Sequence, residues 1–210
     1  MAPPFTWAQG LGTYFHYASF VPRGRVTGKL YLPGAPGGEV EVSGEGYHEQ
    51  GRTNAPFAGI FNYWYWTRFF IGDWTFIFPV AQSPARTLHA GMRALLVYHK
   101  DECVADLFDL TGLFLHHKVL EDQSYEPAGR DDVPRRCLFT ARRPGLRLRV
   151  EMNLYHQFEA ICWQILADKT IPQPAWLQHV MKVCVDMRWK GKPIHLEGEG
   201  IFETMLTGNP

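Results

Sequence analysis

The sequence predicts an all-β protein, a meander of antiparallel strands that packs as a barrel or sandwich. Three observations carry this. Glycine and proline interrupt the chain at short intervals, at 22–24, 33–38, 44–46, 51–56, 72–73, 127–129, 144–145 and 191–193. The segments between them are short and rich in aromatic and β-branched residues, which favour a pleated, half-buried surface. In Leu146-Arg-Leu-Arg-Val-Glu-Met the apolar side chains recur at every second position, the period of a strand with one face in a core.

In chain order, strands are expected at 25–32 and 39–42, each bounded by glycine or proline. Segments 61–70 and 74–80 are the most aromatic, and Gly72-Asp73 between them suits a two-residue turn with positive φ at the glycine. A strand at 94–99 follows, then a polar segment, 121–136, that reads as a loop covering a mouth. Pro144-Gly145 pairs a fixed φ with a permissive residue and makes the turn into 146–153, with a last apolar run at 158–166. At 174–182, Trp176, Leu177, Val180 and Met181 fall at helical spacing, so one short helix near the C-terminus is expected to close an end of the barrel.

A chain of 210 residues can bury a core without disulfide staples, and one domain over 1–210 is expected. Lysine plus arginine and aspartate plus glutamate balance at 21 each, which gives no general attraction to nucleic acid or an anionic membrane. The aromatic sheet also lacks the interleaved cations of base-stacking platforms, so no nucleic-acid partner is expected. Arg135, Arg136, Arg142, Arg143, Arg147 and Arg149 read as the solvated face of a hairpin. The start MAPPFTWAQG has no charged, then apolar, signal-peptide pattern, and no apolar run approaches the roughly 20 residues of a membrane-spanning helix. A soluble, cytoplasmic protein is expected.

Cys103, Cys137, Cys162 and Cys184 are far apart and read as buried free thiols, Cys162 beside Trp163 as core. His116 and His117 point to opposite faces of a strand, and no local histidine spacing suits a metal, so no metal is expected. Nucleophile elbows, phosphate loops and dinucleotide fingerprints are absent, and no cofactor is expected.

The polar cluster Gly44-Glu-Gly-Tyr-His-Glu-Gln-Gly-Arg stands out beside the aromatic strands. Alternation puts Tyr47 and Glu49 on one face and His48 and Gln50 on the other, with the glycines permitting a bulge. If Glu49 faces a cavity walled by Trp64 and Trp66, loss of water raises its pKa and makes it an acid able to protonate an alkene or polarise a carbonyl. Aromatic faces can stabilise the positive charge that develops. A nearby Arg68 would instead keep Glu49 ionised in an ordinary salt bridge, and both readings stand at this point. Tyr47 and His48 would orient the acid. Tyr63, Trp64, Trp66 and Trp74 would line the cavity, with Gln50, Arg52 or Arg68 contacting substrate oxygen.

Gly44-Glu-Gly-Tyr-His-Glu-Gln, then Tyr63-Trp-Tyr-Trp-Thr-Arg, then Ile71-Gly-Asp-Trp-Thr resemble the GxGYHDHNWG…WYWGR…IGDYT pattern of the carotenoid 1,2-hydratase (hydroxyneurosporene synthase) superfamily. Tyr17-Ala-Ser-Phe-Val-Pro-Arg with Val26-Thr-Gly-Lys-Leu looks like its preceding strand pair, and Gly198-Glu-Gly-Ile-Phe-Glu-Thr-Met like a closing strand. The resemblance implies a lipocalin-like β-barrel. Members carry two such barrels in tandem, and fungal relatives include Diels–Alderases; here the match spans most of the chain but one barrel only. Glu49 stands for the family's Asp, Gln50 for the following His, and Gly51-Arg52-Thr53 for Asn-Trp-Gly. The acid is kept and a histidine relay is not.

Residues and resemblance together lead to the expectation of a cofactor-independent enzyme of isoprenoid or natural-product biosynthesis. It would bind a hydrophobic unsaturated substrate in a barrel cavity and promote cyclisation, isomerisation or hydration, alone or as a homodimer. The alternative is a lipocalin-like carrier that binds such a molecule without chemistry.

Overall fold

The computed structural model describes residues 5–9, 13–34, 36–55, 60–84, 91–162 and 173–207. Twelve strands make up nearly all of it: β1 (Phe5–Gln9), β2 (Thr13–Tyr31), β3 (Glu39–Thr53), β4 (Tyr63–Ile71), β5 (Trp74–Gln82), β6 (Gly91–His99), β7 (Glu102–Asp109), β8 (Leu115–Tyr125), β9 (Arg130–Arg143), β10 (Leu146–Cys162), β11 (Ala175–Trp189) and β12 (Lys192–Leu206). Every pairing is antiparallel. Strands β1-β2-β3 form a small sheet, and the other nine run in the order β7-β6-β5-β4-β12-β11-β10-β9-β8.

The strand order forces the large sheet to roll. Laid flat, nine strands would put β7 and β8 about 38 Å apart at 4.8 Å per step. Yet these strands follow one another in the chain, and the residues between Asp109 and Leu115 reach roughly 20 Å at most. The sheet therefore curls until its edges meet, but no ladder joins β7 to β8, and the expected closed barrel is a rolled, open one. The seam is held by side chains instead. The Arg143 guanidinium of β9 donates to the Val104 carbonyl of β7.

Asp109 anchors the linking loop. Its Oδ1 accepts from Thr111 N at 2.8 Å, Thr111 Oγ1 at 2.7 Å and Gly112 N at 2.8 Å, and its Oδ2 from Phe114 N and Leu115 N, both at 2.8 Å. Burial alone would raise its pKa, but these donors hold the carboxyl well below the usual carboxylate range. Its stabilising effect is thus complete above the ordinary carboxylate pKa and is lost as pH falls through the depressed folded value. Asp109→Asn leaves a single acceptor oxygen and is expected to cost about 1–3 kcal/mol in urea unfolding. An unchanged midpoint would remove the loop anchor from this account.

Gly72-Asp73 and Pro144-Gly145 form two-residue turns as expected, with φ of 55° at Gly72 and 80° at Gly145. Several sequence expectations give way. The helix expected over 174–182 is strand from Ala175 on, because Ala175, Leu177, His179, Met181, Val183, Val185 and Met187 all point inward, a period of two longer than the helical spacing at its start. Among the described residues no helix reaches seven residues. The polar segment 121–136 is not a loop but the end of β8, a short 3-10 turn (Glu126–Ala128) and the start of β9, polar because one face meets solvent. Pro22 and Gly24 lie inside β2, absorbed by register shifts against β3 between Ser19 and Gly24. Residues 163–166 of the last expected run, Trp163 included, lie outside the described residues.

The core has two compartments on the two faces of β4–β6. Inside the roll, Phe69, Phe76, Phe78, Phe139 and Phe202 pack with aliphatic side chains from β9–β12. Outside it, the small sheet lays Phe15 and Tyr17 over Trp64, Trp66, Ile77 and Leu96. Gly200 of β12 sits so close to β4 that an added Cβ would lie 2.5 Å from Phe69 Cβ and 2.8 Å from the Arg68 carbonyl. Only glycine permits that approach.

Candidate functional site

Alternation along β4 divides the expected aromatic wall between the two compartments. Tyr63 and Tyr65 stack on each other toward the interior, at 4.8 Å between ring centroids. Trp64 and Trp66 stack on the opposite face, at 5.1 Å, under the small sheet. Trp74 lies in the interior, 4.5 Å from the His99 ring and 5.2 Å from that of Trp189. The interior is thus a packed aromatic core, and the polar cluster meets indole rings outside it.

That meeting place is built by β2, β3, β4 and β12. The expected alternation holds in β3: Tyr47 and Glu49 turn inward while His48, Gln50 and Arg52 are exposed. His48 sets its ring beside that of the exposed Phe20, with centroids 5.6 Å apart. The structure therefore unites Tyr47, Glu49, Trp64, Trp66 and Arg68, and separates them from His48, Gln50, Arg52, Tyr63 and Trp74.

Tyr17 is the residue that ties the site together. Its ring is buried 4.4 Å from Trp66, its hydroxyl hydrogen-bonds the Tyr47 hydroxyl, and it lies close enough to the Glu49 carboxyl to favour the ionised form. Burial pushes its phenol far above the ordinary range, so it remains a neutral donor. Among the described residues, Glu49 Oε2 and the Trp66 indole N–H are buried without a hydrogen-bond partner. Such groups cost free energy unless something fills them.

Electrostatics set Glu49 up as an acid. Removal from water raises its pKa to about 7, outweighing the Tyr17 hydrogen bond and the Arg68 charge, which lower it, with Glu203 adding a like charge. The Arg68 guanidinium lies over the Tyr47 ring, 5.3 Å from its centroid, and acts on both carboxyls. Glu203 also has its pKa raised by burial, although the Trp176 indole, Arg68 and Gln178 favour its ionised form. Gln178 Nε2 donates to Glu203 Oε2 at 3.2 Å. The arrangement can hold one proton near neutrality, on Glu49, beside a cation and aromatic faces.

The sequence reading did not name Tyr17, Glu203, Trp176 or Gln178 as site residues. Glu203 carried a usable signal, a charged residue between Ile201 and Met205 on the same period-two face. Tyr17 carried none of its own, since its place depends on the β2–β3 register that sets it opposite Gly51.

No protein-family model and no curated protein sequence matches the chain. Solved structures match it closely in shape. CghA with Sch210972 superposes with a TM-score of 0.69 at 11% identity, over 96% of this chain and 56% of that one. CghA without it gives 0.67 at 12% identity, over 95% and 56%. Kievitone hydratase from Nectria haematococca gives 0.62 at 14% identity, over 97% and 56%. The chain thus spans little more than half the length of these structures. At such identities the likeness shows the fold, the lipocalin-like one that the motif resemblance implied.

Proposed function

We propose that the chain acts in isoprenoid or other natural-product biosynthesis, binding an apolar, unsaturated small molecule against Trp64 and Trp66 and promoting its cyclisation, isomerisation or hydration with Glu49 as general acid. One observation carries this reading: a carboxyl with a pKa near 7 and one oxygen unpartnered, set beside a buried indole whose N–H is also unpartnered. A structural salt bridge would hold the pKa low instead. The matched fold, in a protein named as a hydratase and in one solved with a small molecule, supports the same reading.

In this scheme the Glu49 proton passes to a substrate alkene or carbonyl, and the Trp66 face stabilises the cation that forms. Tyr17 keeps the carboxyl in place from close beside it. Arg68 and Glu203 set the proton's acidity from opposite directions. Proton transfer from a carboxyl needs no cofactor.

Binding is tested first. Apolar polyenes are expected to quench tryptophan fluorescence of the intact protein, and Trp66→Ala to weaken that quenching. If no member of a polyene panel binds, the indole pair is simply core and the proposal fails.

A further inference from the structure

On the outer face of β11 and β12, away from both core compartments, the register sets Asp186 opposite His195 and Cys184 opposite Glu197. Alternation points all four to the same side, Asp186 and His195 exposed and Cys184 half-buried. One ligand atom from each of Cys184, Asp186 and His195 lies within 4.8 Å of the other two. His195 Nδ1 is 2.7 Å from Asp186 Oδ1, and its Nε2 is 3.4 Å from Glu197 Oε1.

We propose that Cys184, Asp186 and His195 bind a borderline-soft divalent transition-metal ion, with zinc the best match, and that Glu197 orients the imidazole from behind. A thiolate, an imidazole and a carboxylate form a donor set that suits zinc and disfavours magnesium or calcium, which take oxygen. Zinc bonds of about 2.0–2.3 Å in a tetrahedron place ligand atoms roughly 3.3–3.8 Å apart. The Cys184 sulfur must close by up to about 1 Å, while the Asp186 and His195 atoms, now 2.7 Å apart, open by about 0.6 Å, adjustments that side chains on neighbouring strands make by rotating χ angles.

The charges also balance. A thiolate, a carboxylate and a neutral imidazole carry two negative charges against the ion's two positive ones. On binding, the thiol proton leaves to solvent and sulfur takes the metal in its place. One ring nitrogen ligates while the other stays on a carboxylate, the usual way a metal-bound imidazole is held. Across β10, Glu151 lies opposite Cys184 and Arg149 opposite Asp186, and Glu151 is ion-paired with both Arg149 and Arg136, the latter at 3.7 Å. Three protein ligands leave a fourth position for water. The site joins two strands through their register, so neither Cys-x-Asp nor His-x-Glu reveals it alone.

The test uses the intact, reduced, chelator-treated protein titrated with cobalt(II) as a spectroscopic stand-in. A sulfur-to-cobalt charge-transfer band in the near ultraviolet, saturating at one ion per chain and bleached by zinc, is expected. Zinc should also raise the melting temperature. Cys184→Ser and His195→Ala are each expected to abolish the band and weaken zinc by at least the ~10–100-fold that loss of an outer partner costs, while Cys103→Ser keeps it. Absence of the band from the parent protein, or its survival in Cys184→Ser, overturns the site. If the serine variant does not fold, His195→Ala decides, since that side chain is 58% exposed.

Discussion

Glu49→Gln is expected to lower turnover of an accepted polyene by about 10²–10⁴-fold, the usual worth of a positioned acid. The amide keeps the shape and loses the proton. The pH profile gives an independent reading: with a carboxyl pKa of about 7, kcat/KM stays level below neutrality and falls about tenfold per pH unit above it, as the acid form disappears. Glu203→Gln removes a like charge, lowers the Glu49 pKa and moves that fall to lower pH. Equal rates for the parent protein and the Gln variant would exclude Glu49 as donor. They would leave a pericyclic route in which confinement does the work.

Phe139→Ala is expected to be the costliest core substitution, at about 3–5 kcal/mol in urea unfolding. Phe139 is fully buried, and its ring lies flat on that of Phe78 with centroids 4.5 Å apart and planes 1° from parallel. The pair joins β9 to β5 across the middle of the roll, where tight packing leaves the backbone little room to collapse into the void. That cost is a large share of the 5–15 kcal/mol typical of a folded domain. A loss below about 1 kcal/mol would mean that the interior is hollow, contrary to the packing described here.

What the sequence disclosed, and what it did not, divides along a physical line. Local rules succeeded: two-residue turns at Gly72 and Pro144-Gly145, alternation at 146–152, and Tyr47 with Glu49 on one face of β3. Each depends on residues within one strand or turn. Contacts that depend on which strands become neighbours stayed hidden. The motifs named Glu49 and Trp66, but only the packing of β2 and β3 over β4 and β12 shows that Tyr17 and Glu203 complete their surroundings. Likewise Tyr63 and Trp74 were grouped with Trp64 and Trp66 by aromatic character, although β4 sends Tyr63 to the opposite compartment from the two tryptophans and β5 turns Trp74 into the interior. The short helical spacing at 176–181 was a coincidence of four apolar residues inside a longer strand pattern. Of the cysteines only Cys137 is fully buried, and Cys103 is exposed.

The strand order also governs how the chain assembles. β4 to β7 form one run of sequence-adjacent hairpins, and β8 to β12 another; the ladder between them is β12 on β4, which pairs Leu206 with Tyr63 and Gly200 with Phe69. Until β12 emerges, a nascent chain holds two separate meanders, with β4 and β11 as bare edges ready to recruit other molecules. Contacts so distant in sequence form slowly. Truncation before Lys192 would strand the protein at that stage, and the cell would meet it as aggregate.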